Sequence, residues 1–574
     1  METTFNKKYK DRDPMETVSI IHSFFVYKGF NIQVERLAET ECGTWGCVVI
    51  LFANDQFIFS QNGKGTTKEF ALASGYAELF ERFSNKLGIY NNPILGKAYT
   101  DLNYKTNDYY LCKDEKFLSA EDIFEDIDTS QWLNTLFNTR AQSEQYLNII
   151  CQNGIIGVPY NNFGADDIKY WDPRIITHMM MSSGLAAGNT VEEALVQGMS
   201  EIFEHYAGAK IHQNKYDKYY SINRTILPRY LQNIITRIES KGNRIKIFDL
   251  SYNTGVPVCM ALLMNKFSYN YHINFGSAPT FNLAVERTLT ELYQNKFTYW
   301  AVDKMAEQKP FYDAPWYETY INGFSSFPRS DRFPEDILLK SVEIDNYNQE
   351  IFLDSSQKYS NSFLMEYYNE ICKDLNTSIF YHNNSPIKEM AAIQIFCPGL
   401  DLKPHEKALY VSLTTEEKDI IFNQCIGYWS ALQKIKEVNC DKEAILDIMS
   451  QLKNIEKTEE KTAFGFLLGS DWFYPYPKAR GYQGENLLNI FLNDEIPYEQ
   501  LLLDEIANIF KRPARKNCVI ANYAQADYDF NTAHELLKNL GISIFEEEYK
   551  LYKERWYMFY QVFIKEYQAH FNSS

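Results

Sequence analysis

Residues 184–206 read GLAAGNTVEEALVQGMSEIFEHY, and this stretch decides the fold because the chain contains related copies of it. A first copy, GKGTTKEFALASGYAELFERF, covers residues 63–83 and superposes on it at a shift of 123 residues. Between Gly65 and Phe83, nine of nineteen positions are identical without a gap. A weaker third copy, GSAPTFNLAVERTLTELYQ, begins at Gly276, at a shift of 213 from the first. Each copy is a Gly/Thr turn that runs into a helix.

The copies predict three helices with polar starts, at residues 70–84, 190–207 and 282–296. The first two starts have the Thr-x-x-Glu spacing of a capping box, in which both side chains bond to the backbone of the first turn. The two pairs are Thr66 with Glu69 and Thr190 with Glu193. Apolar residues then recur at helical spacing, which predicts one buried face for each helix.

Polar residues follow the other face of each predicted helix. In the second helix, spacing of i, i+4, i+8 and i+11 places four polar side chains in one row, namely Glu193, Gln197, Glu201 and Glu204. The other two helices carry Ser74, Glu78 and Glu81, and Arg287 and Glu291. For any one helix, a solvated face is the simpler interpretation. Solvent does not require the same Glu-x-x-Glu at the same distance from the same turn, so the repetition favours one shared site.

A shared site would have the chemistry of a metal-nucleotide centre. Five carboxylates in one cleft would repel each other, namely those of Glu78, Glu81, Glu201, Glu204 and Glu291. Mg²⁺ relieves such repulsion while also binding substrate phosphates. Arg287, Gln197, Asn189 and Ser74 lie on the same faces and can hold phosphate oxygens, ribose or base groups. The usual nucleotide signatures are missing, because no G-x-x-x-x-G-K-[ST] occurs and Gly63-x-Gly65 lacks a third glycine.

At these residues the chain resembles the YcaO family, whose motifs here run from Ser74 to Arg82, from Asn189 to His205 and from Arg287 to Glu291. The resemblance covers roughly residues 1–410 and implies ATP and Mg²⁺ as cofactors. It implies a metal site made of Glu78, Glu81, Glu201, Glu204 and Glu291. It also implies nucleotide contacts from Lys10, Thr17, Ser74, Asn189, Glu193, Gln197, His205 and Arg287. Two positions depart from the pattern, because His205 replaces an arginine and Ala186 replaces a serine of some members.

The predicted organisation is an α/β core followed by an all-helical domain. Strand patterns lie at residues 46–52, 244–249, 257–263 and 390–396, and the resemblance implies mixed sheets packed with helices, with the nucleotide between them. We place the ATP- and Mg²⁺-binding domain at residues 1–410. Residues 411–574 have helical periodicity with little strand signal and predict a tetratricopeptide-like domain, either as a cap over the core or as a docking surface.

Composition narrows the class of protein. The formal net charge is −18, from 57 basic and 75 acidic residues, which argues against direct nucleic-acid binding. The apolar runs are too short to span a bilayer and the first residues lack a signal core, so we expect a cytoplasmic protein with no membrane contact. The ten cysteines lack C-x-x-C spacing and predict buried free thiols. We also expect a homodimer.

The resemblance implies that ATP activates the amide oxygen of a peptide or protein backbone by phosphoryl or nucleotidyl transfer. Three functions stay open. The long form of the family is similar to the accessory factor of RimO, the radical enzyme that methylthiolates a small-subunit ribosomal protein, and RimO and that protein would be the partners. A cyclodehydratase or thioamide-forming enzyme of ribosomal peptides is the second, although the carboxyl terminus QAHFNSS lacks the proline-rich tail of azoline-forming members. An ATP-sensing scaffold without turnover is the third, and His205 is its main support.

Overall fold

The computed structural model describes the chain in segments: residues 10–53, 56–85, 115–151, 154–180, 182–212, 218–241, 243–251, 254–265, 271–293, 341–344, 351–400, 414–416, 418–420 and 422–423. Almost all of the predicted helical domain at 411–574 lies outside the described residues. Elements are numbered below in chain order among the described residues.

The first of three sheets is a small antiparallel one with two helices packed on it. Its strands, in the order β1-β2-β3, are Phe30–Glu39, Trp45–Ala53 and Gln56–Gly65. Helix α1 (Pro14–Tyr27) precedes the sheet and α2 (Lys68–Ser84) follows it. The apolar face of α2 meets α1 through aromatic edge contacts, with Phe83 4.9 Å from Phe25 and Phe80 5.5 Å from Phe24 between ring centroids. Each buried Phe contributes about 1.5–3 kcal/mol of transfer free energy.

The second sheet has six strands and the third has five. The second contains β4 (Lys116–Leu118), β5 (Ile155–Asn162), β6 (Ile168–Trp171), β7 (Leu185–Gly188), β13 (Phe380–Asn383) and β14 (Ala391–Phe396), in the order β4-β5-β13-β14-β7 with β6 on β5. The third contains β8 (Tyr219–Ile222), β9 (Asn243–Asp249), β10 (Val258–Asn265), β11 (Tyr271–Ser277) and β12 (Ser341–Ile344), in the order β11-β10-β9-β8-β12. Among the paired strands that the structure describes, β8 and β12 are parallel and the rest are antiparallel.

The remaining described α-helices connect and cover these sheets. They are α3 (Ala120–Glu125), α4 (Ile127–Leu136), α5 (Arg140–Ile150), α6 (Pro173–Met180), α7 (Val191–His212), α8 (Arg229–Ser240), α9 (Phe281–Glu291) and α10 (Asn361–Asp374). A large apolar core joins the second and third sheets around α7, whereas a smaller core lies between α1, α2 and the first sheet. No helix among the described residues is both long and apolar enough to cross a bilayer.

The three sequence copies form three equivalent strand–helix units: β3 with α2, β7 with α7, and β11 with α9. Each of these strands lies at one edge of its own sheet, so the repeats bring three sheet edges together. Glycine permits the tight turn from strand to helix. A Cβ on Gly65 would lie 2.7 Å from the amide nitrogen of Ala71, and one on Gly188 would lie 2.5 Å from that of Ala194.

The mixed α/β core and the four predicted strands are confirmed, each strand within two residues of its predicted ends. The three predicted helices are confirmed at their starts to within two residues. The capping box at Thr66 is wrong, because Thr67 is the N-cap and accepts a hydrogen bond from the Phe70 amide at 3.3 Å. Thr67 is also the position that the 123-residue shift superposes on Thr190. The described cysteines are all buried and free, as predicted.

Candidate functional site

The site is organised along α7, whose polar row runs from Glu193 through Gln197 to Glu201. Eight residues of helix rise about 12 Å, so the row has two separate ends. Thr190 starts the helix by accepting a hydrogen bond from the Glu193 amide at 3.2 Å. We call the group around Glu193 the amino-end cluster (Lys10, Thr17, Asn189 and Glu193). The group around Glu201 is the carboxyl-end cluster (Glu78, Glu81, Arg82 and Glu201).

The amino-end cluster is a closed hydrogen-bond network that joins the start of α7 to the segment before α1 and to α1 itself. The Glu193 carboxylate accepts from Lys10 Nζ at 3.1 Å, from the Asp11 amide at 2.9 Å, and from Asn189 Nδ2 at 2.9 and 3.1 Å. Thr17 Oγ1 donates to Asn189 Oδ1 at 2.7 Å. Four of the predicted nucleotide-binding residues therefore lie together, although up to 183 positions separate them in the chain.

Glu193 is almost fully buried and yet charged. Burial raises the pKa of its carboxyl, but the ammonium of Lys10 and the donors from Asp11 and Asn189 outweigh burial and lower the pKa below its usual value. Because the carboxylate is used in this network, it does not bond back to the helix start as a capping box would. The predicted capping box is thus half correct. The Thr190 side chain caps the Glu193 amide as predicted, but the Glu193 side chain does not return the bond.

A cavity of about 330 Å³ opens beside the amino-end cluster, between the start of α7 and the turn from β13 to β14. Asn189, Thr190 and Val191 line one side. The turn contributes polar and basic groups, among them Asn383, Ser385 and Lys388. The cavity therefore combines hydrogen-bonding groups with a helix start, where backbone amides favour an anionic or polar ligand.

The carboxyl-end cluster brings the glutamates of α2 and α7 together. Arg82 lies between the two carboxylates of its own helix, with Nη1 3.2 Å from Glu81 and Nη2 3.7 Å from Glu78. Burial and the negative charges of Glu201 and Glu78 raise the pKa of Glu81 to about 8, although Arg82 opposes them. Burial is also the main reason that the pKa of Glu78 is raised. Both acids are therefore destabilised in their charged form.

Glu201 differs from its two neighbours because several cations face it. Burial raises the pKa of Glu201, but the hydrogen bond and charge of His205, followed by the charges of Arg82 and Arg287, give a net lowering. His205 Nε2 lies 3.7 Å from Glu201 Oε1, and the His205 side chain is 43% exposed. The predicted contact residue His205 thus lies at the site, at its solvent side.

The third repeat supplies Arg287 and Glu291. Arg287 Nη1 donates to Gln197 Oε1 at 3.2 Å, which links α9 to the middle of the α7 row. Glu291 forms an ion pair with the ammonium of Lys64, on β3. Burial and Arg287 lower the pKa of Lys64 to about 8, against the charges of Glu78, Glu204 and Glu201. Lys64 is a site residue that the sequence interpretation missed.

The three repeats interlock in a ring. Helix α2 packs on β7, α7 packs on β11, and α9 packs on β3. In each case a glutamate bonds to the same position of the next strand, which is Ala187, Ser277 and Lys64 in turn. Glu81 accepts from the backbone of Ala187, Glu204 accepts from the Ser277 amide at 3.2 Å, and Glu291 pairs with the Lys64 side chain. The ring thus includes three of the five predicted metal-binding glutamates, and the other two, Glu78 and Glu201, lie beside it in the carboxyl-end cluster.

Ser74 lies half-buried on α2, one turn before Glu78. Within the described residues, no three His, Cys, Asp or Glu side chains are grouped closely enough to hold a metal ion by themselves. Lys64 and Arg82 instead occupy the positions between the carboxylates. The donor set fits Mg²⁺ bound jointly with phosphates, because Mg²⁺ typically takes only one or two carboxylates and completes its shell with phosphate oxygens and water.

Comparison with protein families gives one match over more than half of the chain. A family described as YcaO cyclodehydratase, ATP- and Mg²⁺-binding, matches residues 62–401. The three helices and the ring between them lie inside that range, whereas Lys10 and Thr17 lie before it. ATP and Mg²⁺ are thus confirmed as the cofactors of the family that this chain matches.

Two curated proteins are similar to the chain over part of its length. An uncharacterized protein of Haemophilus influenzae is 32% identical over 277 residues, which is 47% of this chain and 46% of that protein. The ribosomal protein S12 methylthiotransferase accessory factor YcaO of Escherichia coli is 30% identical over 245 residues, 41% of this chain and 40% of that protein. The chain thus spans less than half the length of either relative.

A solved structure with a similar fold is that of YcaO from Methanopyrus kandleri bound with AMPPCP and Mg²⁺. It superposes with a TM-score of 0.46 at 17% sequence identity, covering 70% of this chain and 94% of that one.

Proposed function

The chain belongs to the YcaO family, and on that premise we propose that it uses ATP and Mg²⁺ to activate a backbone amide of a peptide or protein substrate. One observation carries the proposal: three helices, each following a strand of a different sheet, bring an excess of buried and half-buried carboxylates together with Lys64, Arg82 and Arg287. Such a set costs folding free energy in the absence of ligand, and divalent cations with phosphates would relieve it.

The two ends of the α7 row suggest how ATP would lie. The cavity beside Asn189 and Glu193 offers hydrogen-bond partners for the nucleoside, with Lys10 and Thr17 fixing both residues. Farther along the row, Gln197 and Arg287 are placed to hold phosphate oxygens. The glutamates would bind Mg²⁺ on the phosphates, and His205 and Ser74 would contact the nucleotide from α7 and α2. The bound Mg²⁺ would neutralise charge that develops on the phosphates during transfer.

In the proposed reaction the amide oxygen attacks a phosphorus atom of ATP, an O–P bond forms, and a phosphoanhydride bond breaks. The leaving group is ADP for phosphoryl transfer and pyrophosphate for nucleotidyl transfer. Phosphorus NMR of the purified protein with Mg-ATP and a peptide substrate distinguishes the two, because each releases different products. Binding of ATP with no product would instead support an ATP-sensing scaffold and overturn the enzymatic proposal.

For the substrate, we propose a ribosomal protein that is methylthiolated by a RimO-type radical enzyme, with this chain as the accessory factor. The support is the partial similarity to the Escherichia coli accessory factor. Mass spectrometry of small-subunit ribosomal proteins from wild-type and deletion strains tests it. Loss of the methylthio group in the deletion strain is expected, and an unchanged modification would exclude this role.

A second candidate is a cyclodehydratase that forms azolines in a ribosomal peptide, or an enzyme that forms thioamides. The description of the matching family favours it, since that description names cyclodehydratases. Cyclodehydration removes one water per ring, so a peptide substrate would lose about 18 Da for each azoline. Thioamide formation exchanges oxygen for sulfur and adds about 16 Da. Peptide mass spectrometry after incubation with Mg-ATP, with sulfide added as the sulfur donor for thioamide formation, therefore separates the two candidates from each other and from the accessory role.

A further inference from the structure

Lys64 is the one member of the interlocking ring that uses a side chain where its equivalents use the backbone. Ala187 and Ser277 occupy the same position of the second and third repeats, and each offers a backbone donor to a glutamate of the preceding repeat. At Lys64 the ammonium pairs with Glu291 of α9, so a flexible, charged side chain closes the ring. A purely structural contact at this place would not need a charged side chain, because the contacts at Ala187 and Ser277 are made by the backbone.

The surroundings of the Lys64 ammonium are those of a cation site. Glu78 lies on α2, Glu201 and Glu204 lie on α7, and all three act on Lys64 electrostatically, in addition to its partner Glu291. The Arg287 guanidinium is also close enough to repel it. Lys64 and Arg287 together carry two positive charges against these four carboxylates, so their surroundings keep a net negative charge that attracts further cations.

We propose that Lys64 is a tethered cation that occupies the metal position beside Glu291 in the nucleotide-free protein and moves to the triphosphate when Mg-ATP binds. This inference rests on the proposed ATP and Mg²⁺ site. The Glu291 carboxylate cannot pair fully with the Lys64 ammonium while it also coordinates Mg²⁺. Binding of the metal therefore displaces the ammonium. Lysine suits this exchange because its ammonium is a compact point charge on a flexible stem and a good phosphate ligand.

The exchange predicts opposite effects on two affinities when the charge is removed. In Lys64→Met, Mg²⁺ without nucleotide no longer competes with the ammonium, so it should bind about tenfold more tightly than in the wild-type protein. Mg-ATP should bind about tenfold more weakly, because the lysine–phosphate contact is lost. Lys64→Arg keeps the charge and should retain the wild-type affinity for Mg²⁺ alone.

Isothermal titration calorimetry of the full chain measures both affinities, first with MgCl₂ alone and then with Mg-ATP. Lys68→Met is the matched control, since Lys68 is an exposed lysine at the start of α2, and both of its affinities should equal the wild-type values. Should Lys64→Met fail to fold, Lys64→Met with Glu291→Gln removes both charges of the pair together. That double variant should still bind Mg-ATP at least tenfold more weakly than Glu291→Gln alone.

Equal affinities in Lys64→Met and wild type would overturn the exchange, as would weaker binding of Mg²⁺ alone in Lys64→Met. The exchange would also be overturned if the double variant bound Mg-ATP as tightly as Glu291→Gln does. In each of these cases, wild-type protein that still binds Mg-ATP leaves the proposed function standing. Wild-type protein that binds neither Mg²⁺ nor Mg-ATP would remove the proposed function as well, so the two failures are distinguishable.

Discussion

Two clusters along α7 each bury a glutamate, Glu193 of α7 itself and Glu81 of the neighbouring α2, and the surroundings move the two pKa values in opposite directions. At the amino end, Lys10, Asp11 and Asn189 satisfy Glu193 and lower its pKa. At the carboxyl end, burial and like charges raise the pKa of Glu81 to about 8. Both residues are buried glutamates, so the difference comes from the number of donors and cations that face each carboxylate.

The two clusters differ in whether the protein alone satisfies their carboxylates. It does so in the amino-end cluster, whereas in the carboxyl-end cluster a cationic ligand would be needed. The amino-end cluster is satisfied by the protein itself, which stabilises the fold and presents a preformed surface beside the cavity. In the carboxyl-end cluster Arg82 does not offset burial at Glu78 and Glu81, so the charged forms of these two acids stay destabilised, which costs folding free energy. Destabilised charged groups of this kind are typical of functional sites, where they gain their partners only when the ligand binds. We therefore expect glutamate substitutions in the two clusters to change the free energy of unfolding in opposite directions.

The largest expected effect is on ATP turnover. Glu78→Gln and Glu201→Gln remove a metal-binding charge while keeping shape, and each should reduce ATP consumption at least about 1,000-fold, or about 4 kcal/mol in activation free energy. Glu69→Gln, an exposed position of the same helix as Glu78, should keep wild-type activity. Steady-state phosphate or pyrophosphate release measures turnover, and calorimetry with Mg-ATP measures binding. Unchanged binding and turnover in both variants would refute the site.

The next effect is on stability, and its sign should differ between the two ends. Glu193→Gln removes the charge that Lys10 and Asn189 face, so the free energy of unfolding should fall by about 2 kcal/mol. Glu81→Gln removes an acid whose raised pKa makes it take up a proton on folding at neutral pH, so the free energy of unfolding should rise by about 1 kcal/mol in metal-free buffer. Urea unfolding monitored by circular dichroism gives both values. Glu192→Gln, exposed and adjacent to Glu193, should change stability by less than about 0.5 kcal/mol. If both substitutions changed the free energy of unfolding with the same sign, the proposed difference between the two clusters would be wrong.

A smaller effect follows from the pKa of Glu193. Because this pKa is lower in the folded than in the unfolded protein, the stabilisation is present above the usual carboxyl range and is lost as pH falls through the folded-state value. Wild-type stability should therefore fall below about pH 4.5, the ordinary value for glutamate. In Glu193→Gln this part of the acid dependence should be missing. Thermal melts from pH 3 to pH 7 compare the two slopes, and parallel curves would contradict the assigned contribution.

The sequence predicted the three helices and the Gly/Thr turns that precede them, because a repeat leaves a signal that single helices lack. The strands β3, β7 and β11 before these turns were not predicted. Glu78, Glu81, Glu201 and Glu204 could be placed at one site since the 123-residue shift superposes them in pairs. The same shift superposes Thr67 on Thr190, so the correct N-cap of α2 could have been found from the alignment. The cap was assigned to Thr66 because Thr66 alone has the expected distance to Glu69.

The ring could not be predicted from the sequence, because its links have no common side chain. Ala187 and Ser277 take part through backbone amides, which any residue would provide. A lysine stands at position 64 where the other repeats have small residues, but its place in a Gly-x-Gly turn does not indicate a partner on the third helix. The amino-end cluster joins Lys10 to Glu193 across 183 positions, a contact that only tertiary packing creates.

The smallest expected effect concerns His205, at the exposed edge of the carboxyl-end cluster. His205→Arg restores the family's residue and adds a permanent charge with a bidentate fork, so ATP should bind more tightly. The side chain is 43% exposed and its charge is screened, which limits the gain to about two- to fivefold, or at most about 1 kcal/mol. Because screening grows with ionic strength, the gain should shrink between 0.05 and about 1 M salt. His205→Gln, which keeps hydrogen bonding without charge, should lack the gain altogether. Titrations of ATP at both salt concentrations decide the matter: an identical gain for arginine and glutamine would mean that charge at this position has no part in holding the nucleotide.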